Sequence, residues 1–283
     1  MNARIKTSSM RNSVTCKKNT ARPLILICND DGIYAPGILA LFNAVRGLGE
    51  VAIVAPASEQ SCTGHSITLN NPIKIARVRR NKEFEGYGVY GTQADCVKLA
   101  LSSLLPGIPR LVISGINLGP NAGISVLYSG TVSAAAEGAI LGIPSMAVSL
   151  ATFTKPVWKT AARAARLLAK KIISCGLPPN TLLNVNVPNL PYGRLRGTAI
   201  TSMGHSRFAE VFHERKNPSG DTYYWMDGEL EITGKTEGTD IRALSEGYVT
   251  VTPIRFDLTD TAALAALKKW RLPGGGHSPR EGR

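Results

Sequence analysis

Five short stretches of strand character recur between residues 24 and 187, and a helical pattern separates each from the next. They are Leu24–Cys28, Val51–Ala55, Leu111–Ser114, Pro144–Leu150 and Thr181–Val187. The first three are nearly unbroken aliphatic runs without polar alternation, which marks strands buried on both faces of a parallel sheet. Strands alternating with helices imply parallel pairing and right-handed crossovers, so an α/β fold is expected. The helices carry their own signals. Pro36 opens one that ends near Gly47 and Gly49, matching proline in the first turn and glycine past the last. Thr92 can cap a second, with Asp95 near its positive end. Small residues make a third from Thr131 to about Ile140, and residues 157–173 a fourth.

Beyond Pro188 the character changes to glycines, prolines, aromatics and short strands, including Tyr223-Tyr224-Trp225 and Gly247–Thr252. This part reads as hairpins, followed by a helix at about 259–270. The expected organisation is a basic tail over 1–22, a catalytic core over 23–190, a hairpin-rich part over 191–270 that completes the domain and mediates oligomerisation, and a second tail over 271–283.

The net charge of +13 is that of a nucleic-acid binder, but ten of these charges fall outside the body, six over residues 1–22 and four over 268–283. Solvated tails are the expectation, and nucleic acid is not an expected partner. Residues 1–22 also have the serine and threonine content of a transit peptide but no amphipathic helix. No apolar run reaches the roughly 18–20 residues that a membrane span needs, and no signal-peptide pattern is present, so a cytoplasmic location and no membrane partner are expected. The five cysteines form no Cys-x-x-Cys pair, which argues against a zinc ribbon or redox motif. Cys28 and Cys96 read as small buried residues.

Three polar clusters each follow one of the first three buried strands: Asn29-Asp30-Asp31-Gly32, Gln60-Ser61 and Ser114-Gly115-Ile116-Asn117. In a parallel sheet these ends lie along one edge, where ligands bind. Vicinal carboxylates repel each other unless something positive lies between them. Two carboxylates, a hydroxyl and an amide oxygen form an all-oxygen set suited to Mg²⁺, Mn²⁺ or Ca²⁺. Individually each cluster reads as a turn or a cap; their shared topological position makes the case. Tyr128-Ser129-Gly130-Thr131 then precedes an alanine-rich helix, placing hydroxyls and free N–H groups where an anion can sit. An anion site beside a divalent cation points to a phosphate ester.

Asn29–Gly32 with Ala35-Pro36-Gly37, Val54-Ala55-Pro56, Gly115-Ile116-Asn117, Tyr128–Thr131 with Glu137-Gly138, Asn184–Pro188, and Gly238-Thr239-Asp240 with Gly247-Tyr248-Val249 together resemble the SurE survival-protein family. The resemblance is collinear from about Leu24 to Asp257. It implies a Rossmann-like parallel-sheet core with helices on both faces and a hairpin-rich C-terminal part exchanged between subunits. It implies a metal-dependent nucleotidase that hydrolyses nucleoside 5′- and 3′-monophosphates, with one divalent cation per subunit, Mg²⁺ or Mn²⁺, in a homodimer or homotetramer. By the same resemblance Asp30, Asp31, Ser61 and Asn117 hold the metal, with Asp30, Asp31 and Asn117 catalytic. Asn121, Ser129, Gly130 and Thr131 line the phosphate pocket. Three departures stand out. Gln93 replaces a usual proline, Cys62 follows Ser61 where glycine is usual, and the stretch after Asn121 lacks a common acidic residue.

The adjacent Asp30-Asp31 disfavours the Asp-x-Asp arrangement of an aspartyl-phosphate enzyme. His65 could donate a proton to a leaving alkoxide, although a structural or surface role is the stronger expectation. His205 and His213 read as structural or rim residues, and Tyr223, Tyr224 and Trp225 as core or interface packing rather than base stacking. The rival readings are a short-chain polyphosphatase on the same site and a non-catalytic nucleotide- or RNA-binding module.

Overall fold

The computed structural model describes residues 22–80 and 83–270. Both basic tails, apart from Arg22 and residues 268–270, lie outside the described residues. In chain order the elements are β1 (Leu24–Cys28), α1 (Pro36–Val45), β2 (Glu50–Pro56), β3 (Lys74–Arg80), β4 (Phe84–Tyr90), α2 (Gln93–Leu99), β5 (Leu111–Leu118), α3 (Ser125–Tyr128) and α4 (Gly130–Ile140). There follow β6 (Ser145–Ala151), α5 (Trp158–Cys175), β7 (Leu182–Pro188), β8 (Gly197–Ile200), β9 (Ser206–Lys216), β10 (Thr222–Ile232), α6 (Asp240–Ser245), β11 (Tyr248–Ile254) and α7 (Thr261–Leu267).

Nine strands form one sheet in the order β3-β4-β2-β1-β5-β6-β7-β11-β8. From β4 to β7 every pairing is parallel. Because side chains alternate across a strand, β1 serves two cores at once. Ile25 and Ile27 pack with α1 and α5 residues such as Ile38, Leu41 and Ala165. Leu26 and Cys28 pack with Cys96, Val97 and Ala134 of α2 and α4 on the opposite face. Helices on both faces of a mostly parallel sheet are the α/β architecture read from the strand pattern. The close fit is visible at Gly37, where an added Cβ would lie 1.9 Å from the Ile116 carbonyl oxygen, so α1 can approach β5 only through a glycine.

Four features differ from the sequence reading. Strands β3 and β4 were not anticipated: the Lys-Ile-Ala-Arg-Val-Arg-Arg pattern of β3 carries too much charge for a buried strand, and it lies at the sheet edge, antiparallel to β4. Charged side chains on an edge strand discourage pairing with other chains. Strand β5 continues past Ser114 to Leu118, with a register shift between Gly115 and Asn117 and a cis Gly115–Ile116 peptide bond. Strand β11 is no hairpin arm; it enters the main sheet antiparallel to β7 and parallel to β8. Among the described residues, only β9 and β10 form a separate two-stranded sheet. On it Tyr223, Tyr224 and Trp225 are exposed, so within one chain they are not core residues.

The long loop between β2 and β3 is held to the start of α2. Thr92 and Asp95 form a capping box, and Asp95 also accepts bonds from the Thr68 amide, at 2.9 Å, and the Thr68 hydroxyl, at 2.6 Å. Burial acts to raise the Asp95 pKa, but the bonds from Thr68 and Thr92 outweigh it and hold the group below its ordinary value. A carboxylate with a depressed folded pKa stabilises above its unfolded value and loses that contribution as pH falls through the folded one. Asp95→Asn should therefore lower stability by about 1–2 kcal/mol at pH 7. In urea denaturation the gap from wild type should narrow once pH drops below about 4.

Candidate metal and phosphate site

The parallel register sets the site. Ile27 lies beside Ile53 and Cys28 beside Ser114, so β2, β1 and β5 end on the same edge of the sheet. Main-chain bonds then fasten the loops together. Ile33 donates to Pro56 O at 2.9 Å and Gln60 to Asp30 O at 2.8 Å. Asn29 is fully buried and its Nδ2 closes the turn onto Gly32 O at 2.9 Å. Gly32, at φ +96°, makes that turn possible.

Asp30 is 5% exposed and is seated on the first turn of α4. Thr131 donates to it through both its hydroxyl and its backbone N–H. Gly130 provides the seat, since an added Cβ there would lie 2.7 Å from both Cβ and Oδ2 of Asp30. Burial pushes the Asp30 pKa up, the Thr131 bonds oppose this, and Glu59 adds repulsion. Asp31 is pushed up to about 7, first by burial and then by the charges of Asp30 and Glu59. The Leu118 backbone N–H acts against that shift by donating to the Asp31 carboxylate, which places Asp31 next to Asn117. The Asn117 Nδ2 donates to Gly119 O at 2.8 Å, leaving its amide oxygen available. Ser61 is exposed and donates to Glu59 Oε1 at 2.7 Å.

Three carboxylates thus share one field, and among the described residues no Lys, Arg or His forms an ion pair with Asp30, Asp31 or Glu59. Nor, among the described residues, do three His, Cys, Asp or Glu side chains group as a ready-made metal cluster. The oxygen groups on this edge that could hold a cation are therefore mixed: two carboxylates, a serine hydroxyl and an asparagine amide oxygen. Oxygen donors of this kind suit a hard divalent ion.

The neighbouring loop is braced to an unusual degree. The Asn121 N–H donates to Asn186 Oδ1 at 2.7 Å, and its carbonyl accepts from Asn184 and Asn186 at 2.7 and 3.1 Å. Its side-chain Nδ2 reaches Ser149 Oγ at 2.8 Å. Two residues on, the Gly123 N–H donates to the fully buried Asp240, which also accepts from the Gly204 N–H. Ser129 caps α4, accepting from the Val132 N–H at 3.1 Å.

The structure thus links Asp30, Asp31, Gly130 and Thr131 directly, and brings Ser61 through Glu59 and Asn117 through Leu118 to the same edge. Asn121 precedes α3, and Ser129 joins α3 to α4. Sequence reasoning missed Glu59, although it stands two residues before Ser61 in the same loop. It also gave no role to Asn184, Asn186, Ser149 and Asp240, whose bracing shows only in three dimensions. His65 is held by the buried Glu137 of α4 at 2.9 Å, and Lys98 pairs with the other oxygen of that carboxylate at 2.6 Å. The histidine in this arrangement ties the loop to α4. His213 lies 4.0 Å from Asp227 on the hairpin.

Comparison with known proteins gives a consistent result. The family model described as survival protein SurE matches residues 25–210. A protein of Heliobacterium modesticaldum named 5′-nucleotidase SurE is 48% identical over 256 residues, covering 90% of this chain and 93% of that protein. One of Chlorobium chlorochromatii with the same name is 47% identical over 254 residues, with coverage of 90% and 93%. The crystal structure of the SurE protein from Aquifex aeolicus superposes with a TM-score of 0.76 at 40% identity, covering 87% of this chain and 98% of that one.

The Gly130 seat yields a direct test. Gly130→Ala should push the Asp30 carboxylate off α4 and weaken Mn²⁺ binding by about 10–100-fold. Titration of the metal followed by electron paramagnetic resonance would measure this, with circular dichroism confirming that the fold is kept.

Proposed function

The chain belongs to the SurE family, and from that premise we propose that it is a 5′-nucleotidase. It hydrolyses nucleoside 5′-monophosphates to nucleoside and phosphate, with 3′-monophosphates as a further substrate class. The observation that carries this reading is the trio of Asp30, Asp31 and Glu59, which no cationic side chain among the described residues pairs, set beside the N-terminus of α4. Such a trio calls for a divalent cation, and a cation beside a helix N-terminus suits a phosphate dianion.

Asp30 and Asp31 through carboxylate oxygens, Ser61 through its hydroxyl and Asn117 through its amide oxygen would hold one Mg²⁺ or Mn²⁺ per subunit. When bound, the ion supplies Lewis acidity and charge neutralisation to the phosphoryl group and to the attacking water. The remaining work falls to the protein. The Ser129 hydroxyl and the Gly130 N–H at the start of α4 bind phosphoryl oxygens, and the braced Asn121 loop shapes the pocket around them. Thr131 serves mainly to fix Asp30. Water attacks phosphorus as a carboxylate of the cluster takes one of its protons, the ester P–O bond breaks, and that proton is passed on to the nucleoside oxygen as it leaves, so the carboxylate ends as it began.

The exposed apolar side chains of the β9–β10 hairpin, including Phe212, Trp225 and Met226, favour a homodimer or homotetramer in which this arm packs on another subunit. The location proposed is the cytoplasm; no helix among the described residues is long and apolar enough to cross a membrane.

Phosphate release from AMP and GMP should vanish after EDTA treatment and return with Mg²⁺ or Mn²⁺. Asp30→Ala should lower the restored rate by at least about 100-fold. A folded wild-type chain that releases no phosphate with either metal would refute the assignment.

A further inference from the structure

The loop that carries Ser61 is irregular, and its shape has an identifiable source. Cys62 and Gly64 both adopt left-handed backbone, at φ +57° and +58°. For cysteine this conformation is unfavourable, so it persists only where surrounding contacts over-determine it. Gln93, the first residue of α2, is completely buried and aims its amide at this turn. Its Nε2 donates to Gly64 O at 2.7 Å and contacts Thr63 Oγ1 at 3.2 Å. The Thr63 hydroxyl donates in turn to Gln60 O at 2.9 Å, and the Gln60 N–H donates to Asp30 O at 2.8 Å. A continuous hydrogen-bond chain therefore runs from the start of α2, around the turn that contains Ser61, to the backbone of Asp30. Thr92 and Asp95 fix only the later part of the loop, at Ser66 and Thr68.

We propose that Gln93 is a positioning residue, whose buried amide pins the 60–64 turn and so holds the Ser61 hydroxyl in register with Asp30 for the cation. This rests on the reading of Ser61 as a metal ligand. A side chain that only filled space at this position would not need both of its amide hydrogens directed at one turn. Bonds that orient metal ligands from behind commonly control affinity by tenfold or more.

The position permits a clean separation of roles. Gln93 stands at N1 of its helix, where the N–H has no place in the helical ladder and proline is favoured. Thr92 is already extended, at φ −75° and ψ 167°, as a residue before proline must be. Gln93→Pro should thus keep α2 and remove only the amide, while Gln93→Met keeps the side-chain length without the donors. Both variants should melt cooperatively with wild-type circular dichroism. In the metal-free chain, hydrogen exchange over residues 59–66 should accelerate by about tenfold. The Mn²⁺ dissociation constant, read by electron paramagnetic resonance, should rise by about tenfold. At saturating metal, nucleotide KM should stay within about twofold while kcat recovers, because the phosphate loop is untouched.

Exchange over 59–66 equal to wild type in both variants would overturn the proposal. So would unchanged Mn²⁺ affinity in both, even with faster exchange, because Ser61 would then not depend on the pin. A wild-type chain that takes up no Mn²⁺ would instead contradict the metal reading and with it the purpose assigned to Gln93, while the exchange measurement on metal-free protein would still decide whether the amide pins the turn.

Discussion

The rest of the structure is arranged around the repulsion between Asp30 and Asp31. At the end of a buried strand, burial raises the pKa of both adjacent carboxylates, Glu59 adds to both shifts, and the Asp30 charge raises Asp31 further. The protein stabilises them only in part. Thr131 and the first turn of α4 take Asp30, the Leu118 N–H takes Asp31, and no basic side chain among the described residues enters. Leaving such a cluster without a protein cation is what a site built to receive a divalent ion requires.

Scaffold and site are therefore hard to separate. The parallel register of β2, β1 and β5 brings the loops to one edge. Glycines at positions 32 and 130 allow the turn and the close seat that ordinary residues would block. The phosphate-side loop is fixed from beneath by amides of β7 and from the C-terminal part by Asp240, so residues more than a hundred positions apart share the work of shaping one cleft.

Much of this was legible in the sequence, for physical reasons. Leu24–Cys28 followed by Asn-Asp-Asp-Gly announces a doubly buried strand ending in a polar turn, because both its faces must be apolar and only its end can be polar. The capping pattern at Thr92 and Asp95 is likewise local and was readable as such. Strand β3 was not, because its four basic residues match an edge strand whose exposure is set by topology. Asn184 and Asn186 alternate with Val185 and Val187 and look like the solvated face of a strand. In fact all four side chains are buried, and the amides hold Asn121. Glu59 was passed over because an exposed loop carboxylate has no local signature; only its proximity to Asp30 and Asp31 gives it meaning. Gln93 was legible only as a replacement for a usual proline, whereas its side chain reaches back to a loop thirty residues away.

The central claim is that the uncompensated carboxylates form a single cation site together with Ser61 and Asn117. Crystals of the protein grown with Mn²⁺ and measured for anomalous scattering would test it most directly. The account predicts one strong peak per subunit, coordinated by oxygens of Asp30, Asp31, Ser61 and Asn117 at about 2.0–2.3 Å. A well-ordered cleft with no peak there, or a peak held by other residues, would contradict it.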